Sequence, residues 1–261
     1  MKANAPLLQR LAVMLALPVA LIAAWWFASE GSQNFYFPSL RTILATFAKL
    51  WFSPQSMHNV VPSLVRFSLG YSAAALLGIV IGIPVGRSRN LRNVLEPVLE
   101  FLRAVPPPVL VPVLILFAGL GNTMKALVII SGCIWPVLLN TVAGVRALDD
   151  VLAEVVRSYR IGPIARFWHF ILPGASPQIF TGLRQSLSIG LILMVVSEMF
   201  AASDGIGFAL VQYQRTFAIP EMWSGIILLG IIGIVLSLIL RVFESWILGW
   251  YHGLRQSQRA G

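Results

Sequence analysis

Charged residues are scarce in this sequence. Only 11% of its 261 residues are Asp, Glu, Lys or Arg, whereas 57% are hydrophobic and the mean hydropathy is +0.82. A soluble domain usually carries about 25% charged residues. The composition therefore excludes an ordinary soluble domain and requires a lipid environment for much of the chain.

Residues that build catalytic and metal sites are also few. The single cysteine, Cys133, lies in an apolar run, which excludes an intramolecular disulfide or a cysteine metal cluster. The three histidines, His58, His169 and His252, are scattered, and the phosphate-binding pattern Gly-x-x-x-x-Gly-Lys-Ser/Thr is absent. We therefore expect no enzyme activity from the chain alone, no ATP hydrolysis by it and no cofactor.

Acidic residues are outnumbered by basic ones. Asp and Glu number 10 against 19 Lys and Arg, which gives a formal net charge of +9. Basic charge often indicates nucleic-acid binding. Here the basic residues stand in short loops between apolar runs, which is the positive-inside pattern of membrane proteins. We expect contact with the lipid bilayer and no nucleic-acid partner.

Long apolar runs are abundant, and each run of about 20 residues predicts a transmembrane helix. The first run could be a signal peptide, but its length and its Trp25-Trp26-Phe27 ending without a small-residue cleavage site favour a retained span. The pattern predicts an all-α polytopic membrane protein. The six predicted spans are Leu11–Phe27, Leu64–Val85, Val105–Leu120, Ala126–Val145, Leu183–Ala202 and Trp223–Trp246.

Two spans have unusual local sequences, and one further segment is amphipathic. The spacing Gly78-x-x-x-Gly82-x-x-x-Gly86 permits close approach of a second helix. Pro106-Pro107-Pro108 and Pro112 should break the third span, which is tolerated only where protein or a wet cavity surrounds it. Ser39–Phe52 is amphipathic and predicts an interfacial helix on the outer side.

The distribution of Lys and Arg predicts the orientation. With the N-terminus inside, twelve basic residues fall in inner segments and four in outer segments, which favours an inner (plasma) membrane protein with both termini in the cytoplasm. The inner set is Lys2, Arg10, Arg87, Arg89, Arg92, Arg103, Arg146, Arg157, Arg160, Arg166, Arg255 and Arg259. The outer set is Arg41, Lys49, Lys125 and Arg215.

The longest hydrophilic inner segment is Asp149–Gln178. Asp149 and Asp150 are helix N-caps for a short helix over 151–159. Gly162 should then supply a left-handed turn and Pro163 should start a second helix over 164–172, which Pro173 ends. Such a rigid projection, ringed by arginines, suits docking of a partner protein, although a merely solvated loop is the alternative.

Glu154-Val155-Val156 lies near the start of this segment, and Phe170-Ile171-Leu172-Pro173 follows later in it. These two motifs resemble the Glu-Ala-Ala start and the Ile-x-Leu-Pro ending of the EAA loop of binding-protein-dependent ABC transporter permeases. The sequence departs from the pattern at Arg160, where the family places Gly, and Gly162 is expected to take over the turn. The resemblance assigns coupling to an ATPase to Glu154, Val155, Val156, Arg157, Arg160, Gly162, Pro163, Leu172 and Pro173.

Further fragments are similar to the nitrate, sulfonate and taurine branch of this family. They include Arg66-Phe67-Ser68-Leu69-Gly70, Leu102–Pro107, Gly119-Leu120-Gly121 with Lys125, and Glu198-Met199. The resemblance implies a type I ABC importer permease fold, with one domain over 1–261, a core over 60–250 and a coupling loop over 149–178. It also implies an ABC ATPase, a second permease copy as a homodimer, and a periplasmic or lipid-anchored solute-binding protein.

Polar residues inside the spans are candidates for the solute pathway. They are Asn140, Thr141, Gln185, Ser188 and Glu198. Glu198 either lines the pathway or anchors helices near the outer boundary, because ionisable groups in spans usually face a cavity or a partner. The others could equally hydrogen-bond between helices. Arg241 and Glu244, three apart on one helix, are expected to pair with each other.

A secondary transporter driven by an ion gradient is the competing function. It would require inverted repeats and more buried carboxylates. Pro106–Pro112 is a helix break, but no repeat partner for it is found in the sequence. The sequence therefore favours the ATP-driven importer.

Overall fold

The regular structure is helical throughout the part of the chain that a computed structural model describes, residues 7–32 and 34–249. The α-helices are α1 (Leu7–Ser29), α2 (Leu40–Trp51), α3 (Pro54–Arg87), α4 (Arg89–Ala104), α5 (Val111–Ala118), α6 (Asn122–Arg146), α7 (Asp150–Ser158), α8 (Pro163–Arg166), α9 (Leu172–Ala201), α10 (Ile206–Arg215) and α11 (Ile219–Ile247). The described residues fall into two compact groups, one drawn from 1–57 and 209–229 and the other from 58–208 and 230–261.

Four helical stretches are long and apolar enough to cross a bilayer, which confirms the helical membrane fold. They are Ser56–Arg87, Asn122–Arg146, Pro163–Phe200 and Ile219–Ile247. A fifth crossing exists if α4 and Pro107–Ala118 count as one broken span. The count of six also needs α1 and stays a prediction. The chain termini, with Lys2, Arg255 and Arg259, lie outside the described residues.

The predicted break at the prolines of the third span is confirmed. A 3₁₀ turn over Pro107–Leu110 precedes α5, and the two halves of the pair meet at an angle of 83°. The preceding helix α4 was not predicted, because its five charged side chains interrupt every apolar run. Its Leu95 and Leu99 pack against a buried cluster of Val85, Leu138 and Val142.

Helices α3 and α6 run in parallel, and glycines bring their backbones close together. A Cβ added at Gly78 would lie 2.9 Å from Val137 Cβ, and one at Gly82 would lie 2.7 Å from Thr141 Cβ. Gly70 and Gly86 meet Ile129 and Val145 in the same register, with contacts of 2.8 Å. Real Cβ atoms do not approach so closely, so only glycine fits, which confirms the close packing predicted from the Gly-x-x-x-Gly spacing.

The other side of α6 packs against α9, which runs antiparallel to it. Gly144 meets Ala175 and Gln178, whereas further along α6 Pro136 and Asn140 meet Gly182. Gly190 lies against the fully buried Cys133 in the same way. Helix α6 therefore sits between α3 and α9, and small residues line both contacts.

In the group drawn from 1–57 and 209–229, α2 is an amphipathic helix as predicted. Ser39 caps it by accepting a hydrogen bond from Thr42 N at 3.3 Å. Leu40, Ile43 and Trp51 are buried, and Trp51 Nε1 donates to Ser224 Oγ at 3.0 Å. Its predicted position on the outer membrane surface stays a prediction.

In the group drawn from 58–208 and 230–261, an ion pair between α3 and α9 is buried in the core. Arg66 and Glu198 are 4% and 1% exposed, and Nη1 lies 2.9 Å from Oε1. Glu198 also accepts hydrogen bonds from Ser63 Oγ at 2.8 Å and from the Gly207 backbone N–H at 3.0 Å. Ser63 Oγ in turn accepts from Ile206 N at 2.8 Å. The carboxylate thus meets a full set of donors.

The same network fixes the segment that follows α9. Arg66 donates through Nε to Asn122 Oδ1 at 2.8 Å, through Nη1 to the Asp204 carbonyl at 3.3 Å, and through Nη2 to the Asp204 carboxylate. The backbone N–H of Gly205 donates to Asn59 Oδ1 at 3.1 Å. Residues 204–207 are therefore anchored to α3, and Arg66 of α3 also binds the start of α6.

The electrostatics of Asp204 favour its ionised form. Burial alone would raise the pKa of Asp204, but the hydrogen bond from Arg66 and the charges of Arg66, Lys125 and His58 together hold the pKa below its usual value. A lowered pKa in the folded state stabilises the fold at pH above the ordinary value of about 3.9, and this contribution is lost as pH falls through the folded-state pKa.

The glycine contact between α3 and α6 makes a prediction. We expect Gly82→Ala to lower the free energy of unfolding by about 1–3 kcal/mol, because the added methyl forces two backbones apart. Gly230→Ala is the matched control in α11, where an added Cβ meets no atom within 4 Å. Thermal unfolding of both purified variants measures the difference, and equal midpoints would contradict the close packing.

The buried ion pair makes a second prediction. Arg66→Met should destabilise the protein by about 3–5 kcal/mol, because it leaves the Glu198 carboxylate buried without a countercharge. Arg66→Met combined with Glu198→Gln should recover part of that loss, since no unpaired charge then remains. A double-mutant cycle of thermal unfolding tests this, and strictly additive effects would show that the two groups are not coupled.

Candidate functional site

The candidate coupling segment over 149–178 begins with a capped helix. Asp149 is the N-cap of α7, and its Oδ1 accepts a hydrogen bond from Leu152 N at 2.9 Å. Asp150 lies in the first turn, where its negative charge complements the helix dipole. The helix predicted over 151–159 is therefore confirmed, with bounds Asp150–Ser158.

The turn after α7 differs from the prediction. Arg160, not Gly162, adopts the left-handed conformation, with φ of 50°, whereas Gly162 has φ of −61° and extended backbone. Arg160 N donates to Arg157 O at 2.9 Å and Ile161 N to Val156 O at 3.1 Å, which is a Schellman motif. This motif needs its left-handed residue directly after the helix C-cap, so Gly162 comes too late in the chain.

The predicted end of the second helix at Pro173 is wrong. Helix α8 passes through a π-helical turn over Phe167–Ile171 directly into α9, and Pro163–Phe200 forms one helical stretch of 38 residues. The Leu172 N–H donates to Phe167 O, five residues back. This shifted hydrogen-bond register lets the helix continue through Pro173, which has no N–H of its own.

One side of the segment is buried against the bundle. Val156 is 9% exposed, and Ile171 packs in a cluster with Ile83, Val145 and Ala175. Leu172 and Pro173 are half-buried in the same region. These contacts connect the segment to the ends of α3 and α6 and leave it no freedom as a solvated loop.

The other side of the segment exposes large apolar side chains beside charges. The exposed sequence-predicted residues are Glu154, Val155, Arg157, Arg160, Gly162 and Pro163. Tyr159 is 79% exposed, Ile164 76% and Trp168 58%, and prediction had not singled them out. Exposed aromatic and aliphatic groups on a rigid support are typical of a protein-binding surface.

The candidate pathway residues occupy three different environments. Thr141 is fully buried and donates to Val137 O at 2.7 Å, and Glu198 lies inside the ion network. Asn140 Nδ2 donates to Gln185 Oε1 at 3.1 Å, which links α6 to α9. Gln185 and Ser188 are exposed on α9.

A cavity of about 380 Å³ lies beside Ser188, between α9 and α11. Ser237 and Arg241 line its other side. The predicted pairing of Arg241 with Glu244 is wrong, because Glu244 Oε2 lies 3.2 Å from Arg184 Nη1 on α9. Arg241 has no ion pair within residues 7–32 and 34–249. The position of Arg241 within a long apolar helix is the sequence signal that could have identified it as a candidate pathway residue.

Comparison with known proteins agrees with this architecture. Residues 74–248 match the family model of the binding-protein-dependent transport system inner membrane component. The taurine transport system permease protein TauC of Escherichia coli (strain K12) is 30% identical over 254 residues, covering 94% of this chain and 92% of that protein. The putative aliphatic sulfonates transport permease protein SsuC of Bacillus subtilis (strain 168) is 32% identical, covering 90% and 86%.

Solved structures show the same fold at low sequence identity. The MetNI methionine ABC transporter in an inward-facing conformation matches with a TM-score of 0.60 at 17% identity, covering 75% of this chain and 99% of that chain. A crystal structure of an amino acid ABC transporter matches with a TM-score of 0.54 at 18% identity, covering 82% and 97%. The helical bundle, the matched residues and the similar permeases lead to one conclusion: this chain belongs to the family of binding-protein-dependent transport system inner membrane components, the permease subunits of ABC importers.

Proposed function

We propose that this permease imports a small oxyanion as a homodimer and is driven through the segment 149–178 by an ATPase. Membership of the family implies an ATPase and a solute-binding protein as partners. The observation that carries the proposal is the exposed surface of Tyr159, Ile164 and Trp168 on a segment continuous with a spanning helix. The segment is therefore placed to receive force and to pass it into the membrane.

Force transmission follows from the length and packing of Pro163–Phe200. At 1.5 Å per residue, 38 helical residues extend for about 57 Å, more than the hydrocarbon core of about 30 Å. Because α9 packs tightly along α6, a displacement of its cytoplasmic end moves both helices together. ATP-driven closure of the ATPase pair would thus tilt the bundle between inward-open and outward-open states.

The exposed polar residues of α9 and α11 are the best candidates for solute contact. Gln185, Ser188 and Arg241 are accessible, whereas Thr141 and Glu198 are buried and serve packing and anchoring. Relatives are named for taurine, aliphatic sulfonates, nitrate and bicarbonate, and each of these solutes has an anionic oxygen group. The accessible guanidinium of Arg241 fits the transient passage of such a group.

The orientation belongs to the same proposal. We place the protein in the inner (plasma) membrane with both termini and the segment 149–178 in the cytoplasm, because the inner segments hold the excess of Lys and Arg. The solute-binding protein then docks on the opposite side, where the segment 204–207 follows α9. A second copy completes the pathway.

The coupling role makes a prediction about Glu154. Glu154→Arg should abolish co-purification of the ATPase and ATP-dependent uptake, because it reverses a charge on the exposed docking surface, while membrane insertion stays normal. Glu30→Arg is the matched control, because it reverses a charge at an exposed residue outside that segment. Normal ATPase binding by the Glu154 variant would reject the docking surface.

The solute pathway makes a separate prediction. Proteoliposomes that contain the permease, its ATPase and its binding protein should take up labelled taurine or nitrate only with ATP. Arg241→Gln should reduce that uptake at least tenfold, about 1.4 kcal/mol of lost transition-state stabilisation, without changing ATPase co-purification. Arg103→Gln, on exposed α4, is the charge-matched control. Gradient-driven uptake by the permease alone would instead identify a secondary transporter.

A further inference from the structure

A second cavity of about 380 Å³ opens where the ends of α3 and α6 meet α4, α7 and α8. Its charged lining is strongly one-sided, since Asp150 is the one carboxylate among six arginines. The arginines are Arg87, Arg89, Arg92, Arg146, Arg157 and Arg166. Five helices, from two separate stretches of the chain, thus direct positive charge to one place.

These arginines have no protein partners in the part of the chain that the structure describes. None forms an ion pair or a side-chain hydrogen bond with residues 7–32 or 34–249. The Nε atom of Arg166 is buried and has no hydrogen-bond acceptor. A buried donor without an acceptor costs about 1–3 kcal/mol, so a group that accepts a hydrogen bond from Arg166 would be stabilised here.

Helix dipoles account for only a small part of this charge. Arg87 and Arg146 lie in the last turns of α3 and α6, where two helix C-termini offer about half a negative charge each. Asp150 neutralises one further charge. The N-terminus of α4, at Arg89, adds a partial positive charge of its own. Among the groups that line this cavity, a net charge of about four positive units therefore remains. Glu96 and Glu100 lie in the neighbouring cavity that Arg92 and Arg146 also line.

We propose that this cavity binds a phosphate-type oxyanion. Guanidinium groups hold phosphate through paired, charge-assisted hydrogen bonds, and several arginines converging on one cavity match a tetrahedral anion. At about 30 Å³ per water molecule, the volume corresponds to roughly a dozen waters, enough for the anion and its hydration. The phosphate belongs either to an anionic lipid headgroup or to a free anion in the cytoplasm.

A bound phosphate would join the coupling segment to the membrane bundle. Arg157 and Arg166 belong to that segment, whereas Arg87 and Arg146 end the spans α3 and α6. One anion between these two pairs of arginines would replace their mutual repulsion with attraction. It would thereby stiffen the contact between the segment 149–178 and the ends of α3 and α6. This site is separate from the cavity beside Arg241, and its occupation does not depend on which solute is transported.

The test uses the full-length protein in nanodiscs of pure phosphatidylcholine, followed by thermal unfolding through the fluorescence of its eight tryptophans. Saturating inorganic phosphate should raise the Tm by about 5 °C, whereas chloride at equal ionic strength should not. The cavity variant Arg92→Gln with Arg166→Gln should lose this shift. The matched variant Arg103→Gln with Arg160→Gln removes two charges outside the cavity and should keep it.

A second arm distinguishes the two sources of phosphate. Nanodiscs with one-fifth phosphatidylglycerol should raise the Tm of the wild type and remove any further response to inorganic phosphate if a lipid headgroup is the occupant. If the soluble anion is the occupant, the lipid has no effect and the phosphate response persists. A Tm that responds to neither probe, or responds equally in the cavity variant, would overturn the proposal.

Discussion

The close approach of α3 and α9 to the two sides of α6 is the constraint on which the rest of the structure depends. In lipid, helices gain little from burying apolar side chains against each other, so association relies on van der Waals contact between closely spaced backbones. Gly78 and Gly82 provide this contact on one side of α6, and Gly144 and Gly182 provide it on the other. The three helices therefore form one rigid unit, and every candidate site is attached to it.

Rigidity is what the proposed coupling role requires of the short segment 149–178. Helices α8 and α9 are continuous through a π-helical turn, and Ile171 is buried against Ile83 and Val145. A flexible hinge at this point would dissipate the displacement that an ATPase would apply under the proposed coupling. The same reasoning applies at the opposite end, where Arg66 and Glu198 fix residues 204–207, so that movement of α9 also moves the segment that follows it.

Periodic and compositional features were predictable from the sequence, but exceptions to local rules were not. The spans, the glycine spacing and the N-cap at Asp149 depend on residue type and spacing alone. Arg160 in a left-handed turn breaks the preference for glycine, and the π turn before Pro173 breaks the rule that proline ends a helix. Both depend on tertiary contacts that hold the backbone in place, and no local pattern reveals such contacts.

Contacts between charged side chains that are far apart in the chain could not be predicted from the sequence either. These contacts show which charges are paired in the fold and which are not. Glu198 could be identified as unusual in a span, but its partner Arg66 is more than one hundred residues away in the chain. The basic loops likewise agree with the positive-inside rule, which explains on which side of the membrane the arginines lie. That rule does not explain why arginines from five elements converge on one cavity with Asp150 as the one carboxylate in its lining. Convergence is a property of the fold, and an anion bound among these like charges would replace their mutual repulsion with attraction.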